Sequence, residues 1–111
     1  IGTEPPPAPA AAAAAHWRRV MQGHAGANYM PLIASNRIGR EVGESCEVTF
    51  YGTSFIAGPT GEILAEAGDK EGVITATVDL DEIETARKSW GLFRDRRPEL
   101  YGPLLSLDGR G

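Results

Sequence analysis

Three patterns in the sequence predict a fold of the α/β or α+β class. Residues 14–28 repeat apolar side chains at the spacing of one helical face. Residues 46–57 and 72–80 are rich in β-branched and aromatic side chains, which favour strands. Asp79 has the spacing of a helix cap and predicts a second helix. Because these few elements carry more apolar faces than they can bury together, we interpret the 111 residues as part of a larger body.

The first helix follows a stretch of low complexity. Residues 5–13 are almost all proline and alanine, which predicts a surface loop, although alanines also favour helix and can extend the next element backwards. The larger side chains of the predicted helix fall on one face: Trp17, Val20, Met21 and His24. Arg18, Arg19 and Gln22 fall on the opposite side.

The next part of the chain predicts strands. The apolar run in residues 29–36 indicates a buried strand, with its proline near the start. The polar, glycine-punctuated residues 37–45 predict a loop. Residues 46–57 predict one strand, in which Gly52 is expected to form a bulge.

A hairpin, a strand and a helix are predicted after this. Residues 58–62, with the letters GPTGE, are typical of a tight turn, and residues 62–68 return as the hairpin partner. The alternation in residues 72–80 predicts a further strand. The second helix is expected to end near residue 88, and residues 89–111 form an irregular tail with aromatic anchors.

Composition excludes several classes of function. The net charge of −4 and the isoelectric point near 5.1 argue against a general binder of nucleic acid or of anionic membranes. No apolar run approaches the roughly 20 residues that span a bilayer. A single cysteine excludes an internal disulfide framework and fits a reducing compartment, so we expect a cytoplasmic protein. We expect no metal and no cofactor.

The single cysteine, Cys46, is the first candidate for chemistry. It lies between Glu44 and Glu47, whose negative charges disfavour a thiolate, and it leads into a strand rather than a helix. We therefore interpret Cys46 as a structural bystander. His16 and His24 are eight residues apart, which does not place two metal ligands on one helical edge. From these residues alone the sequence predicts a scaffold without a catalytic set.

Three segments resemble the carbon-nitrogen hydrolase (nitrilase) superfamily. They are HWRRVMQGHAGANYMPLIASNRIG at residues 16–39, FYGTSFIAGPTGEILAEAGDKEGVITATVDLDEIETAR at residues 50–87, and WGLFRDRRPELY at residues 90–101. The opening IGTEP and the closing FRDRRPELY resemble a branch that hydrolyses ureido compounds bearing an amine. The resemblance implies that residues 1–111 are the C-terminal portion of one four-layer α-β-β-α sandwich domain.

The resemblance also implies how the reaction proceeds. The superfamily uses a Glu-Lys-Cys triad, in which the cysteine thiolate attacks, the glutamate is the general base and the lysine stabilises the tetrahedral intermediate. None of the triad positions matches a residue of this chain, and Cys46 falls in a variable loop. The resemblance therefore implies a fragment that is inactive by itself.

Supporting roles are implied for a few residues. Glu4 is expected to pair with the ammonium end of a small ureido substrate, although a plain solvated loop charge explains it as well. His16 and Trp17 match a helix start that borders the pocket in several branches. Asn36 is expected to order the backbone rather than touch substrate. Residues 93–101 resemble tails that pack across a homo-oligomer interface, with packing inside the chain as the rival.

Two alternatives remain open from the sequence. The chain can belong to a neighbouring branch, such as a ureidopropionase or an ω-amidase, whose substrate ends in a carboxylate. It can also be a truncated, non-catalytic module that binds partners through its sheet edge and tail.

Overall fold

The computed structural model describes residues 1–2 and 10–110. Two α-helices, five strands and two short 3-10 helices lie within this part of the chain. In chain order they are α1 (Ala10–Asn28), β1 (Leu32–Ala34), β2 (Ile38–Val42), β3 (Glu47–Tyr51), β4 (Phe55–Ala57), β5 (Ile63–Glu66), α2 (Leu80–Trp90), and the 3-10 helices Pro98–Leu100 and Gly102–Leu105.

The strands form two separate antiparallel sheets. The larger sheet has the order β1–β4–β5, with Ile33 of β1 opposite Ile56 of β4. The smaller sheet is the hairpin β2–β3, in which Ile38 lies opposite Tyr51. Helix α1 packs against the larger sheet, so the described part of the chain has one helix-covered sheet and one hairpin beside it.

Helix α1 begins earlier than the prediction of a loop over 5–13 allows. Residues 10–13 are helical, so the loop prediction is wrong there, while residues 5–9 lie outside the described residues. The reason is the alanine run, since alanine has the highest helix propensity and extending an existing helix costs little.

The buried face of α1 also differs from the predicted one. Ala25 is buried, with Trp17 and Met21 packed beside it, whereas Val20 and His24 are exposed. Ala25 was missed because a small side chain contributes little to an apolar pattern. Its small size lets the helix backbone approach the sheet closely.

Arg18 and Gln22, on the polar side of α1, contact the β4–β5 hairpin. Both side chains are half-buried. The Arg18 guanidinium forms an ion pair with Glu66 of β5. Gln22 Nε2 donates to the main-chain oxygen of Gly61 at 2.7 Å. The β4–β5 hairpin lies along this side of the helix, so long polar side chains reach it.

The core is small and centred on Phe55. The side chains of Ala34, Phe55 and Ala57 point to α1 and join Ala25 there, and Phe55 is fully buried. The rings of Trp17 and Phe55 meet in an edge-to-face contact, with centroids 5.3 Å apart and planes at 72°. This contact fixes the orientation of α1 over the sheet.

Two strand predictions are wrong around the β2–β3 hairpin. The predicted loop over residues 37–45 contains β2, which pairs with β3. The predicted single strand over residues 46–57 is instead two strands in different sheets. Gly52 and Thr53 both have positive φ, at 63° and 58°, and turn the chain between them. Gly52 therefore marks a corner at which the chain passes from one sheet to the other, because two successive left-handed residues interrupt the extended strand.

Other turn and cap predictions are confirmed. The amide of Gly61 donates to the carbonyl of Gly58 at 3.0 Å and closes the turn between β4 and β5. Helix α2 begins at the predicted cap, where the Asp79 carboxylate accepts from the amides of Asp81 and Glu82 at 3.0 and 2.9 Å.

The strand predicted over residues 72–80 does not form in the described structure. Residues 71–79 have no strand assignment, and Val73 is 91% exposed. A strand needs a neighbour for its ladder of hydrogen bonds, and none of the described residues supplies one. The tail after α2 is irregular, as predicted, apart from the two 3-10 helices.

Candidate functional site

A cavity of about 460 Å³ lies where α1, β1 and the first residues of the chain meet. Its lining includes Ile1, Trp17, Met21, Leu32, Ser35 and Asn36. Helix α1 supplies Trp17 and Met21 from its sheet-facing side, and Asn36 follows the end of β1. The strand end and the helix face thus form two walls of the cavity, as their apolar patterns dictate.

Of the three predicted substrate-binding residues, the structure places one in this cavity. Trp17 lines it, and its ring is held by the contact with Phe55. His16 is exposed and is not among the lining residues, although it precedes Trp17 on the helix. Glu4 lies outside the described residues. The cavity therefore brings together Trp17 and Asn36, and not His16.

Asn36 is bonded on every side to main-chain atoms. Its Oδ1 accepts from the nitrogen of Ile1 at 2.5 Å and from the amide of Arg37 at 2.9 Å. Its Nδ2 donates to the carbonyl oxygens of Ile1 and Gly52 at 3.0 and 2.8 Å. Asn36 orders the backbone of the chain, as expected from the sequence.

The residues that line the cavity suit the binding of a small molecule rather than catalysis. Of the described residues that line it, none has an ionisable side chain, and Ser35 and Asn36 supply the polar side chains. An apolar wall with few polar groups is typical of a site for the aliphatic part of a small molecule. A general acid, a general base or a metal ligand would have to come from outside these residues.

The groups with clearly shifted pKa values lie at the surface, away from this cavity. The Thr60 hydroxyl donates to the Glu62 carboxylate and holds the pKa of that carboxyl below its usual range. The Arg40 guanidinium, paired across the β2–β3 hairpin, lowers the pKa of Glu47 in the same way. These shifts come from hydrogen bonds between exposed side chains, so they do not indicate a catalytic pair.

A second and larger groove, of about 590 Å³, lies on the other face of the sheet. Ile33 and Ile56 point into it, because side chains alternate along a strand and their neighbours Ala34 and Phe55 face α1. Val73 also lines this groove. It is wide, apolar and mostly uncovered.

Cys46 is exposed at the tip of the β2–β3 hairpin. The carbonyl of Cys46 accepts from the amide of Gly43 at 2.8 Å and closes the tip. This position agrees with the interpretation of Cys46 as a bystander. In residues 1–2 and 10–110 no three His, Cys, Asp or Glu side chains are grouped to hold a metal ion. None of the helices in the described part of the chain has the length and apolar character needed to cross a membrane.

Comparison with known proteins identifies the family. The profile of the carbon-nitrogen hydrolase family matches residues 2–88. The chain therefore belongs to the carbon-nitrogen hydrolase family. The predicted resemblance is confirmed.

Individual relatives refine this assignment. The chain is 67% identical over 99 residues to an N-carbamoylputrescine amidase of Arabidopsis thaliana, a match that covers 85% of this chain and 33% of the relative. It is 51% identical over 92 residues to a citrullinase of Francisella tularensis, covering 81% of this chain and 32% of the relative. The chain thus spans about a third of the length of these curated relatives.

A solved structure confirms the fold class. The crystal structure of a carbon-nitrogen hydrolase from Helicobacter pylori matches with a TM-score of 0.86 and 38% sequence identity. The match covers 96% of this chain and 39% of that chain. The mixed α/β fold predicted from the sequence is therefore that of a carbon-nitrogen hydrolase.

Sequence reasoning missed several residues of the cavity. Met21 was placed correctly on the apolar face of the helix, but Ile1 and Ser35 carried no signal. Ile1 lines the cavity because the first residues of the chain lie beside β3, where Gly2 forms an antiparallel bridge with Phe50, and Ser35 lines it because it follows the end of β1. A contact between residues so far apart in sequence has no local pattern.

Proposed function

We propose that this chain is part of an N-carbamoylputrescine amidase. Such an enzyme hydrolyses the ureido group of N-carbamoylputrescine to give putrescine, ammonia and carbon dioxide, a step of polyamine biosynthesis. The observation that carries the proposal is the 67% identity to the Arabidopsis thaliana N-carbamoylputrescine amidase over 85% of this chain.

On this proposal the chemistry belongs to the part of such enzymes that these 111 residues do not span. A cysteine thiolate attacks the carbamoyl carbon, ammonia leaves, and water hydrolyses the acyl-enzyme. Cys46 is not the nucleophile, because it is exposed on a hairpin tip beside Glu44 and Glu47. The 111 residues alone are a scaffold that does not turn over substrate.

The cavity beside Trp17 is proposed as a wall of the substrate site. Putrescine has four methylene groups between its nitrogens, and an indole face is a favourable surface for such a chain. Glu4 is proposed to pair with the free ammonium end, which a carboxylate binds by a charge-assisted hydrogen bond. His16 is proposed to border the site, since it lies on the helix turn that carries Trp17.

A second candidate function is the hydrolysis of citrulline or a similar ureido acid. The 51% identity to the Francisella tularensis citrullinase favours it. Citrulline also carries a ureido group, but its far end has a carboxylate beside the amine. The Glu4 carboxylate attracts the lone ammonium of N-carbamoylputrescine, whereas in citrulline the adjacent carboxylate offsets this attraction, so Glu4 favours N-carbamoylputrescine.

The test compares substrates in the longest reading frame that contains this chain. Ammonia release is measured with N-carbamoylputrescine, citrulline and 3-ureidopropionate. We expect the largest kcat/KM with N-carbamoylputrescine, and no turnover by the purified 111 residues. A higher kcat/KM with citrulline or 3-ureidopropionate would favour a neighbouring branch of the family. If the full-length protein hydrolyses none of the three compounds, the proposed amidase function is refuted.

Two variants sharpen this test. Glu4→Gln is expected to raise KM for N-carbamoylputrescine by about 10- to 100-fold, the range for losing a hydrogen bond between charged groups. Cys46→Ser serves as the control and leaves kcat near that of the wild type. A loss of about 10³-fold or more for Cys46→Ser would make it the nucleophile and overturn the assignment.

We also propose a cytoplasmic homo-oligomer. Leu104 and Leu105 in the tail are 80% and 92% exposed, and exposed leucines of this kind are covered in subunit interfaces. Removing residues 98–111 is expected to lower the number of protomers per particle, obtained by analytical ultracentrifugation as the measured mass divided by the protomer mass. An unchanged number of protomers would mean that the tail packs within its own chain.

A further inference from the structure

The side-chain carboxamide of Asn36 is hydrogen-bonded to main-chain atoms. A carboxamide has two N–H donors and two acceptor lone pairs. Both donors go to the carbonyl oxygens of Ile1 and Gly52, and the side-chain oxygen receives the amide of Arg37. No N–H donor is left for a substrate, although the residue lines the cavity.

The backbone of Asn36 is held as well. Its amide donates to the hydroxyl of Ser54 at 2.7 Å, and that hydroxyl lies 3.3 Å from the carbonyl of Asn36. Asn36 therefore joins three segments that are remote in sequence: residues 1–2, the end of β1, and residues 52–54. We call this set of bonds the Asn36 clamp.

A second feature holds residues 1–2 in the same place. Gly2 forms its bridge with Phe50, and a methyl group in place of its hydrogen would lie 2.5 Å from Val48 Cγ1 and 2.8 Å from the oxygen of Thr49. Any other residue would have to move away from β3. The clamp and the close approach at Gly2 fix the same segment independently.

We propose that Asn36 is a positioning residue for the substrate site. It holds residues 1–2 beside β3 and so fixes one wall of the cavity that Trp17 also lines, without touching the substrate itself. This inference rests on the proposed function. Because the reacting groups come from elsewhere, loosening the wall weakens substrate binding and leaves the chemical step intact.

The experiment measures KM and kcat for N-carbamoylputrescine in the longest reading frame that contains this chain. The variants are Asn36→Ala and Asn36→Asp, and the second keeps the shape but removes the donors to Ile1 and Gly52. The loss of two hydrogen bonds predicts a KM about tenfold or more higher, with kcat within about twofold of the wild type. Circular dichroism and the melting temperature report the folded fraction.

Asn28→Ala is the matched control. Its Nδ2 donates to the carbonyl of His24 at 2.9 Å, one turn earlier on the same helix, and the residue is exposed. The substitution removes one asparagine-to-backbone hydrogen bond, and this bond does not join remote segments. We therefore expect KM to stay within about twofold of the wild type.

Gly2→Ala gives an independent variant in case Asn36→Ala does not fold. It displaces the same segment from β3 while leaving the Asn36 side chain intact, and it is also expected to raise KM. A merely structural role for Asn36 predicts a lower folded fraction and a lower apparent kcat at unchanged KM. A lower kcat at unchanged KM in the Asn36 variants overturns the inference. Unchanged KM and kcat in both Asn36→Ala and Gly2→Ala overturn it as well.

The two proposals fail in different ways. If the wild-type enzyme hydrolyses none of the three ureido compounds, the proposed function is wrong and this inference is wrong with it. If the wild type hydrolyses N-carbamoylputrescine and the Asn36 variants keep its KM, only the positioning role is wrong.

Discussion

The two faces of the sheet β1–β4–β5 carry similar side chains and differ in what covers them. On the face toward α1, Phe55 is fully buried. On the opposite face Ile33, one residue from the buried Ala34, is 78% exposed. The alternation of side chains makes both faces apolar, but only a packed partner turns an apolar face into a core. We call these the covered face and the uncovered face.

The largest expected effect separates the two faces directly. Phe55→Ala removes the centre of the small core and is expected to lower the free energy of unfolding by about 3–5 kcal/mol. Ile33→Ala on the uncovered face is the control and is expected to change it by about 0.5 kcal/mol or less. Urea unfolding of the 111-residue chain, followed by tryptophan fluorescence, measures both. Equal losses would mean that the uncovered face is covered in solution.

The next effect tests the corner that places Phe55 on the covered face. At Gly52, with φ of 63°, a methyl group would lie 2.7 Å from the oxygen of Gly68. Gly52→Ala is expected to cost about 1–3 kcal/mol, from the left-handed backbone and the overlap together.

Gly23→Ala is the matched control for this corner. Gly23 lies within α1 with open space around it, so alanine there is expected to add up to about 1 kcal/mol of stability. Denaturant midpoints of the two variants should therefore move in opposite directions. If both variants stabilise the chain, the corner at Gly52 is not constrained.

A smaller effect is expected at the start of α2, which follows the uncovered residues 71–79. Asp79→Ala removes the acceptor for two helix amides and is expected to cost about 1 kcal/mol. Asp79→Asn keeps a cap and should cost only a few tenths. Thermal unfolding compares them, and an equal loss in both variants would assign the effect to charge rather than to capping.

The smallest effect is a pH dependence at the turn that docks on the covered side. The pKa of Glu62 is lowered first by the hydrogen bond from Thr60, so the folded state favours the carboxylate. A lowered pKa contributes stability above the unfolded pKa, and this is lost as the pH falls through the folded pKa. Thr60→Ala should raise the pKa of Glu62, as followed by carboxyl carbon chemical shifts in NMR. An unchanged pKa would exclude the hydroxyl as the cause.

The features that the sequence predicts well are local ones. The cap at Asp79 and the turn at residues 58–62 depend on a few neighbouring residues, and both form as predicted. The predicted buried face of α1 is confirmed for Trp17 and Met21, which pack inward. The burial of Ala25 was not predicted, because it depends on the sheet beneath the helix.

The errors come from pairing over distance. Residues 38–42 look polar and still form β2, because β3 supplies the ladder and Arg40 pairs with Glu47 across it. Residues 72–80 look like a strand, but no strand in the described part of the chain pairs with them. The same holds for the candidate site, where Trp17 could be named from the helix pattern and Ile1 could not.

The hairpin tip between β2 and β3 makes this chain convenient for spectroscopy. Cys46 is the sole thiol in these 111 residues, and it is exposed at the tip. A maleimide dye or a nitroxide can therefore be attached at one known point without engineering. With Trp17 of the core as energy donor, and with Trp90 replaced, a fluorescent label there reports the distance between the hairpin and the covered face as the chain unfolds.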